Sequence, residues 1–281
     1  MTRDTADHTA RGTAREAEAG DGSARGAQDG PPRWTYRAAR EALAAAQKTA
    51  KGVSLYSRLV NRPLGRRLAA LAAVARLTPN QVTLVSAAFS FGALAALALA
   101  APSWPLAVGV YAALVLGFAL DSADGQLARL YRVANPAGEW FDHVVDCAKI
   151  VTMHTAVLVA FHRHFTLPHE GWLLVPLVFQ PAAVLLFFGG LLTDKLRPRP
   201  AAGPGAAGAS GAARPSTLRA LALLPVDYGV LCCVFLLLGS ERAFRFGYAA
   251  LCAAYLLYCA AFSVRWFREL SALSTRSASR S

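Results

Sequence analysis

The sequence DSADGQLARLYRVANPAGEWFDHVVD, from Asp121 to Asp146, joins the ends of two long apolar segments. Asp121 and Asp124 close the first segment at a spacing of three residues, and Asp142 and Asp146 open the second at a spacing of four. Both spacings place paired side chains on one face of a helix, roughly 5–6 Å apart. A single aspartate at a helix end is more often a cap or a solvated terminus. Two helix-spaced pairs around one short loop instead favour a functional site, because unpaired charges are costly near a bilayer.

The loop predicted between the two pairs carries Gly125, Arg129 and Gly138. Four acidic side chains share a small volume only if cations hold them together or protons neutralise some of them. Ligands that are all oxygen atoms suit hard cations such as Mg²⁺ or Mn²⁺. The stretch therefore indicates a site for divalent metal ions at one end of two membrane helices.

The same stretch resembles the signature of the CDP-alcohol phosphotransferase (phosphatidyltransferase) family, D-x2-D-G-x2-A-R-x8-G-x3-D-x3-D. A match at every fixed position, with the correct long spacer, is specific. The matching residues are Asp121, Asp124, Gly125, Ala128, Arg129, Gly138, Asp142 and Asp146. Upstream, the sequence LTPNQVT at residues 77–83 resembles the T-P-N-x-x-T entry to the first membrane helix of that family.

The resemblance implies an all-α integral membrane protein whose aspartates bind two divalent ions, Mg²⁺ or Mn²⁺. The implied metal ligands are Asp121, Asp124, Asp142 and Asp146. Asp146 is also the implied catalytic base for the acceptor hydroxyl. An ordinary aspartate is a weak base near neutral pH, so geometry must supply much of the effect.

Other signature residues are implied to bind the CDP group of the substrate. They are Gly125, Ala128, Arg129 and Gly138. A glycine lets the backbone approach a ligand closely, and the planar guanidinium of an arginine pairs with phosphate. Asn80 and Thr83 are further candidates for nucleotide contact, although helix capping and packing account for them equally well.

Two basic residues are candidates for binding a phosphate on the acceptor. Arg132 follows Arg129 in the loop, and Lys149 lies one helical turn beyond Asp146. The alternative for each is a basic side chain that extends toward the head groups at the membrane surface.

The composition favours a membrane protein over a soluble one. The chain is 55% hydrophobic and only 16% charged, with a mean hydropathy of +0.35. The net charge of +12 is also typical of nucleic-acid-binding proteins. No RNA-binding signature accompanies it, and basic residues between apolar segments are typical of cytoplasmic loops facing anionic lipid. We therefore expect membrane lipids, and not nucleic acid, as its surroundings.

We expect four parts along the chain. They are a disordered N-terminal tail at residues 1–33, basic juxtamembrane helices at 34–76, a six-helix membrane domain at 77–268 and a flexible C-terminal tail at 269–281. The basic helices are predicted from Trp34 to Lys51 and from Leu55 to Arg76. They suit the inner membrane surface as amphipathic interfacial helices, and the alternative is a solvated pair. Pro79 predicts a helix start, with Thr78 as its N-cap.

Six segments are long enough to cross a bilayer at roughly 17–25 residues each. They are expected at about Gln81 to Ala101, Trp104 to Asp124, Gly138 to Phe161, Gly171 to Thr193, Leu218 to Leu238 and Ala243 to Trp266. Pro225 and Asp227 interrupt the fifth. All five cysteines fall inside these segments, and we expect no structural disulfide.

The distribution of basic residues predicts the orientation of the chain. The N-terminal region, the loop with Arg129 and Arg132, the segment from Lys195 to Arg219 and the tail after Arg265 are basic. Both termini and the aspartates are therefore predicted to face the cytoplasm from the inner membrane. The Pro/Gly/Ala-rich segment at 195–215 suits a passive linker, with gating of the site as the alternative.

Taken with these features, the resemblance implies a metal-dependent transferase that releases CMP, acting in phospholipid biosynthesis. The resemblance implies transfer of a phosphatidyl or other substituted phosphate group from a CDP-alcohol, above all CDP-diacylglycerol, to an alcohol acceptor. A CDP-linked small alcohol is the alternative donor, since Asp142-His143 resembles the D-H pair of choline- and ethanolamine-type members. A non-catalytic membrane scaffold and a cation transporter are alternatives of a different class. A homodimer is compatible with the family.

Overall fold

The structure is a computed structural model that describes residues 33–46, 54–133, 135–197 and 217–278. Within these ranges the chain forms α-helices joined by short turns. They are α1 Tyr36–Ala45, α2 Arg62–Val74, α3 Pro79–Leu99, α4 Trp104–Leu130, α5 Pro136–His164, α6 Leu174–Leu196, α7 Thr217–Ala222, α8 Tyr228–Val234 and α9 Glu241–Ala278. A π-helical turn at Ser57–Asn61 precedes α2, and 3₁₀ turns lie at Glu170–Leu173, Leu224–Val226 and Phe235–Gly239.

Five helical segments in the described ranges are long and apolar enough to cross a membrane. They are Pro79–Leu99, Trp104–Leu130, Pro136–His164, Glu170–Leu196 and Glu241–Leu273. They correspond to the first four predicted spans and the sixth. The predicted class, an all-α integral membrane protein, is thereby confirmed.

The predicted fifth span, Leu218 to Leu238, is not one continuous helix. It consists of α7, a 3₁₀ turn, α8 and a second 3₁₀ turn. Pro225 lies in the first of these turns, because proline has no backbone N–H for a helical hydrogen bond. Asp227 then starts α8 as its N-cap, with its carboxylate accepting from Gly229 N at 2.7 Å. The apolar helical segment in this region, Tyr228–Gly239, is shorter than the five long ones.

The loop between the two aspartate pairs is shorter than predicted. α4 continues to Leu130, so Gly125, Ala128 and Arg129 are helical, and Gly138 lies in the first turn of α5. The reason is packing, because Leu127 is fully buried against residues of α1 and α2. The helix ends where Arg132 takes a positive φ of 54° and Val133 N donates to the Ala128 carbonyl.

The predicted start of the first membrane helix is confirmed. Thr78 is the N-cap of α3, and its hydroxyl accepts from Gln81 N at 3.3 Å. The Gln81 side chain in turn accepts from Thr78 N at 2.9 Å, which completes a capping box. Pro79 occupies the first helical position, where its missing N–H costs nothing.

The two N-terminal helical segments pack at the aspartate end of α4, and the second is helical from residue 55 through the π-helical turn to Val74, close to its predicted bounds. Ala39 and Leu43 of α1 form a buried cluster with alanines of α2 and with Ala123 and Leu127 of α4. Lys48 and Lys51 lie outside the described residues, as do the predicted tail apart from Arg33 and the predicted linker beyond Arg197. The packing means that α1 and α2 help to hold the acidic end of α4 in place.

The main core lies deeper along the long helices. Large rings from α5, α6 and α9 and from the turn after α8 are fully buried there. They are Phe161, Phe179, Phe235, Phe244 and Tyr248. This core fixes α5 against α6 and α9, and with them the helix that carries the second aspartate pair.

Candidate active site

The two aspartate pairs meet in space. Asp121 and Asp124 of α4 and Asp142 of α5 each offer a carboxylate oxygen within 4.8 Å of the others. Asp142, His143 and Asp146 form a second such group on α5. Asp142 belongs to both groups, so the acidic cluster is continuous between the two helices.

Helix α3 positions the cluster because it packs against both α4 and α5. The Thr83 hydroxyl donates to Asp124 Oδ2 at 2.6 Å, and Asp124 is buried. Asn80 Oδ1 lies 3.0 Å from the point where a Cβ at Gly138 would stand, so α3 and the start of α5 approach closely there. The two nucleotide-contact candidates of the upstream motif thus lie beside the aspartates, Thr83 by its hydrogen bond to Asp124 and Asn80 by its contact with the start of α5.

Lys149 places one positive charge among the carboxylates. Its ammonium group forms a close ion pair with Asp121 and a second with Asp146 Oδ1 at 3.2 Å. It also donates to Ser86 Oγ at 3.1 Å. The side chain is only 6% exposed, and a buried charge of this kind persists only when it is paired. Lys149 therefore joins α3, α4 and α5 at the site.

The acidic cluster has the donor atoms that a divalent cation requires. Asp142 Oδ1 is buried and has no hydrogen-bond partner among the described residues. Leaving such an atom unpaired is unfavourable, and a hard cation held by carboxylates removes the penalty. Asp121, Asp124 and Asp142 therefore fit a metal ion by their chemistry and by their separation.

Two arginines lie beside the cluster. Arg129 Nη1 would be 3.5 Å from a Cβ at Gly125, so the guanidinium lies over that glycine. Its charge interacts with Asp124 and with Arg62 of α2. Partial burial lowers the pKa of the Arg62 guanidinium. The pair gives the aspartate end of α4 a positive rim that is suited to phosphate.

The remaining predicted binding residues lie at the edge of the site. Ala128 is half-buried in the last turns of α4. Arg132 is exposed just after that helix ends, and no ion pair joins it to the aspartates in the described part of the chain.

Sequence reasoning named Thr83 but missed Ser86 and Ser90, which continue its polar stripe along α3. Thr83, Ser86 and Ser90 are all buried toward α4, and Ser86 Oγ donates to the Gly117 carbonyl at 2.8 Å. Their spacing of three and four residues in an otherwise apolar helix is a signal that could have found them. Tyr228 has no such signal, because it comes from the broken segment far along the chain.

A cavity of about 200 Å³ opens beside the cluster. Its lining includes Asp121, Asp146 and Lys149, together with Ser90 of α3 and Tyr228 of α8. Phe118, Ile150 and Phe187 complete it. A ligand there would be in contact with the aspartate that the signature marks as the base.

Two comparisons with known proteins identify the family of the chain. A family model described as CDP-alcohol phosphatidyltransferase matches residues 76–266. Among curated proteins, the chain is similar to the bifunctional IPC transferase and DIPP synthase of Archaeoglobus fulgidus. The two are 36% identical over 110 residues, which are 39% of this chain and 21% of that protein. The similarity thus covers about a fifth of the relative's length.

Proposed function

Because the chain belongs to the CDP-alcohol phosphatidyltransferase family, we propose that it transfers a substituted phosphate group from a CDP-alcohol to an alcohol acceptor. The observation that carries this proposal is the meeting of Asp121, Asp124 and Asp142, with one carboxylate oxygen of Asp142 left unpaired. Such a concentration of metal ligands suits an enzyme that acts on a pyrophosphate, because divalent ions neutralise its charge.

In the proposed site the four signature aspartates hold two divalent ions, Mg²⁺ or Mn²⁺. When bound, such ions neutralise the charge of the pyrophosphate and stabilise the attacking and leaving oxygen atoms. Arg129 pairs with a phosphate of the donor through its planar fork. Gly125 and Ala128 present little bulk on the same face of α4, so the nucleotide approaches the helix closely.

Asp146 accepts the proton of the acceptor hydroxyl. The acceptor oxygen then forms a bond to phosphorus, the bond from phosphorus to the CMP oxygen breaks, and CMP leaves with that electron pair. Lys149 holds Asp146 Oδ1 at 3.2 Å and orients the carboxylate toward the cavity. The base is thus fixed before the substrate arrives, which matters because an aspartate depends on geometry for its effect.

The proposal includes two classes of donor and one orientation. CDP-diacylglycerol is the donor expected from the sequence, and a CDP-linked small alcohol is the alternative. The basic residues near the site, among them Arg62, Arg129 and Arg132, support a cytoplasmic position for the aspartates. A soluble CMP product would leave on that side.

The proposal is tested by CMP release from the full chain purified in detergent with Mg²⁺ or Mn²⁺. CDP-diacylglycerol is supplied with glycerol 3-phosphate, inositol 1-phosphate, inositol or serine in turn, and CDP-choline with diacylglycerol. We expect CMP that depends on one acceptor and is lost in Asp146→Asn. Asp194→Asn is the matched control, since Asp194 is an exposed aspartate at the end of α6. If folded, metal-loaded protein released no CMP from either donor class, the transferase proposal would be rejected in favour of a non-catalytic scaffold.

A further inference from the structure

The end of the helix bundle opposite to the aspartates contains a buried arginine. Arg245 lies in the second turn of α9 and is only 8% exposed. Its Nη1 donates to the Thr166 carbonyl at 3.1 Å, just beyond the last residue of α5. Asp142 and His164 are separated by most of α5, about 33 Å at a rise of about 1.5 Å per residue. Arg245 is therefore remote from the acidic cluster and from the reaction proposed there.

The guanidinium group of Arg245 has no carboxylate partner among the described residues. Glu241 stands four residues earlier, a spacing that allows an ion pair on a helix. Its Oε2 instead accepts from Thr166 N at 3.0 Å. The ring of Trp172 lies 5.4 Å from Arg245 Cζ, which is a cation–π contact. A buried charge without a counter-ion is unfavourable, and an anion from outside the chain would compensate it.

The edge of the guanidinium group that remains open is the one that suits phosphate. The N–H of Nε and one N–H of Nη2 are directed along the same edge of the planar group. Neither nitrogen has a hydrogen-bond partner in the described part of the chain. Two parallel donors of this kind bind two oxygen atoms of one phosphate. His164 Nε2 is a second buried polar atom at this end that has no partner within the described ranges.

The surroundings of Arg245 favour a phosphate that is carried by a lipid. Trp172 packs edge-to-face on the exposed ring of Phe246, with 5.5 Å between the centroids. Leu174 and Leu177, at the start of α6, are also exposed. Tryptophan at the end of a membrane span is typical of the head-group level. An acyl chain can therefore lie against the exposed side chains while the phosphate reaches Arg245.

We infer that Arg245 binds the phosphate group of a phospholipid, in the membrane leaflet on the side opposite to the aspartates. The head group lies against the edge formed by Nε and Nη2, and an acyl chain follows Phe246 and the start of α6. Three arginines outnumber two glutamates within residues 162–172 and 241–246, which favours an anionic head group. The site is separate from the aspartates, so the inference does not depend on the proposed function.

The probe is a phosphatidylglycerol with a photoreactive diazirine in one acyl chain, added to the full chain in detergent. EDTA is present, so that divalent ions at the aspartates do not hold the phosphate of the probe. We expect crosslinks at Leu174 and Phe246 that unlabelled dioctanoyl phosphatidylglycerol removes. Dioctanoylglycerol has the same acyl chains without the phosphate and should compete at least tenfold less well. Equal competition by the two lipids would overturn the inference, because the acyl chains alone would then explain the labelling.

Arg245→Gln tests the guanidinium group itself. The substitution removes the charge, and we expect dioctanoyl phosphatidylglycerol to compete at least tenfold less well in the variant. The matched control is Arg242→Gln, which changes an exposed arginine of the same helix and should alter the competition less than twofold. Arg245→Lys guards against misfolding, since it keeps the charge and loses the two-donor edge, and a threefold to fivefold loss is expected. Unchanged competition in both variants of Arg245 would overturn the inference.

Two outcomes test the source of the phosphate and the position of the lipid. Inorganic phosphate should displace the probe only at a concentration at least a hundredfold above that of the lipid. Displacement at equal concentration would overturn the lipid and leave a site for free phosphate. Crosslinks confined to Phe118 and Phe187, which line the cavity beside the aspartates, would also overturn the inference. Crosslinking requires no turnover, so a chain that released no CMP would reject the transferase and leave this site in place.

Discussion

Carboxylates interrupt the apolar helices of this protein in two regions, and the regions differ in how the carboxylate oxygen atoms are satisfied. Asp227 accepts hydrogen bonds from the hydroxyl groups of Ser54 and Ser57 and from Gly229 N. All of its partners come from the chain itself. The residue therefore joins the segment before α2 to the start of α8, and its role is structural.

The aspartates of α4 and α5 are only partly satisfied in this way. Asp124 accepts from the Thr83 hydroxyl and from Gly125 N. Asp121 and Asp146 share one lysine, and a buried oxygen of Asp142 has no partner in the described residues. In both regions acidic residues interrupt a hydrophobic sequence, so in the sequence only the signature motif distinguishes them. We infer from this difference that a carboxylate oxygen without a partner in the protein marks a site for a ligand such as a metal ion.

The largest effect is expected from Asp142→Asn. The substitution keeps the shape of the side chain and removes one metal ligand, so CMP release should fall about 10³-fold, or about 4 kcal/mol in transition-state free energy. In EDTA the melting temperature should stay the same or rise, because one like charge has left the cluster. If the variant unfolded more easily in EDTA but kept its activity with metal, Asp142 would have a structural role like that of Asp227.

Lys149→Met should have the next largest effect. It leaves Asp121 and Asp146 without their cation, and breaking a buried ion pair costs about 3 kcal/mol or more. Thermal unfolding in EDTA should show the loss, and Mn²⁺ should restore more stability to the variant than it adds to the wild type. Lys195→Met is the control, because its pair with Glu139 is exposed and is worth about 0–1 kcal/mol. Equal losses in the two variants would mean that the Lys149 pairs do not organise the cluster.

Asp227→Ala should lower stability by about 2 kcal/mol, because it leaves two serine hydroxyls and the Gly229 N–H without their acceptor. The rate of CMP release at saturating substrate should change less than about threefold. Thermal unfolding and initial rates on the same preparation measure the two effects. A loss of activity as large as that of Asp142→Asn, in folded protein, would remove the distinction between the two regions.

Much of the fold and of the candidate site was predictable from local sequence. The start of α3 was predictable because Thr78, Pro79 and Gln81 lie close together in the sequence and form the helix cap without distant residues. Five of the six predicted spans correspond to helices of the structure. The signature spacing also indicated that the aspartate pairs would share a volume, and three of those residues do so.

The parts that were not predicted depend on contacts between distant residues. α4 continues past Gly125 because Leu127 is buried by α1 and α2, which no local pattern on α4 reveals. The three contacts of Lys149 come from three helices, so its spacing from Asp146 did not distinguish a phosphate ligand from an internal ion pair. Tyr228 starts the helix that follows the break at Pro225 and Asp227 and lines the cavity beside the aspartates, which the continuous span predicted for residues 218–238 did not indicate.

The smallest effect is expected from Gly125→Ala, which tests whether Gly125 is small to admit a ligand or to allow helix packing. A Cβ at Gly125 would meet only Arg129 Nη1 at 3.5 Å, an ordinary contact. Gly125→Ala should therefore raise stability by about 0.5–1 kcal/mol, as it does inside other helices. The KM for the CDP donor should nevertheless rise about tenfold, since the added methyl group lies on the face that the nucleotide approaches. Gly65→Ala is the contrasting variant, because its Cβ would lie 2.8 Å from Ser122 Oγ and should lower stability instead. If Gly125→Ala left KM unchanged, Gly125 would be an ordinary helix residue, and the nucleotide would lie on another face of α4.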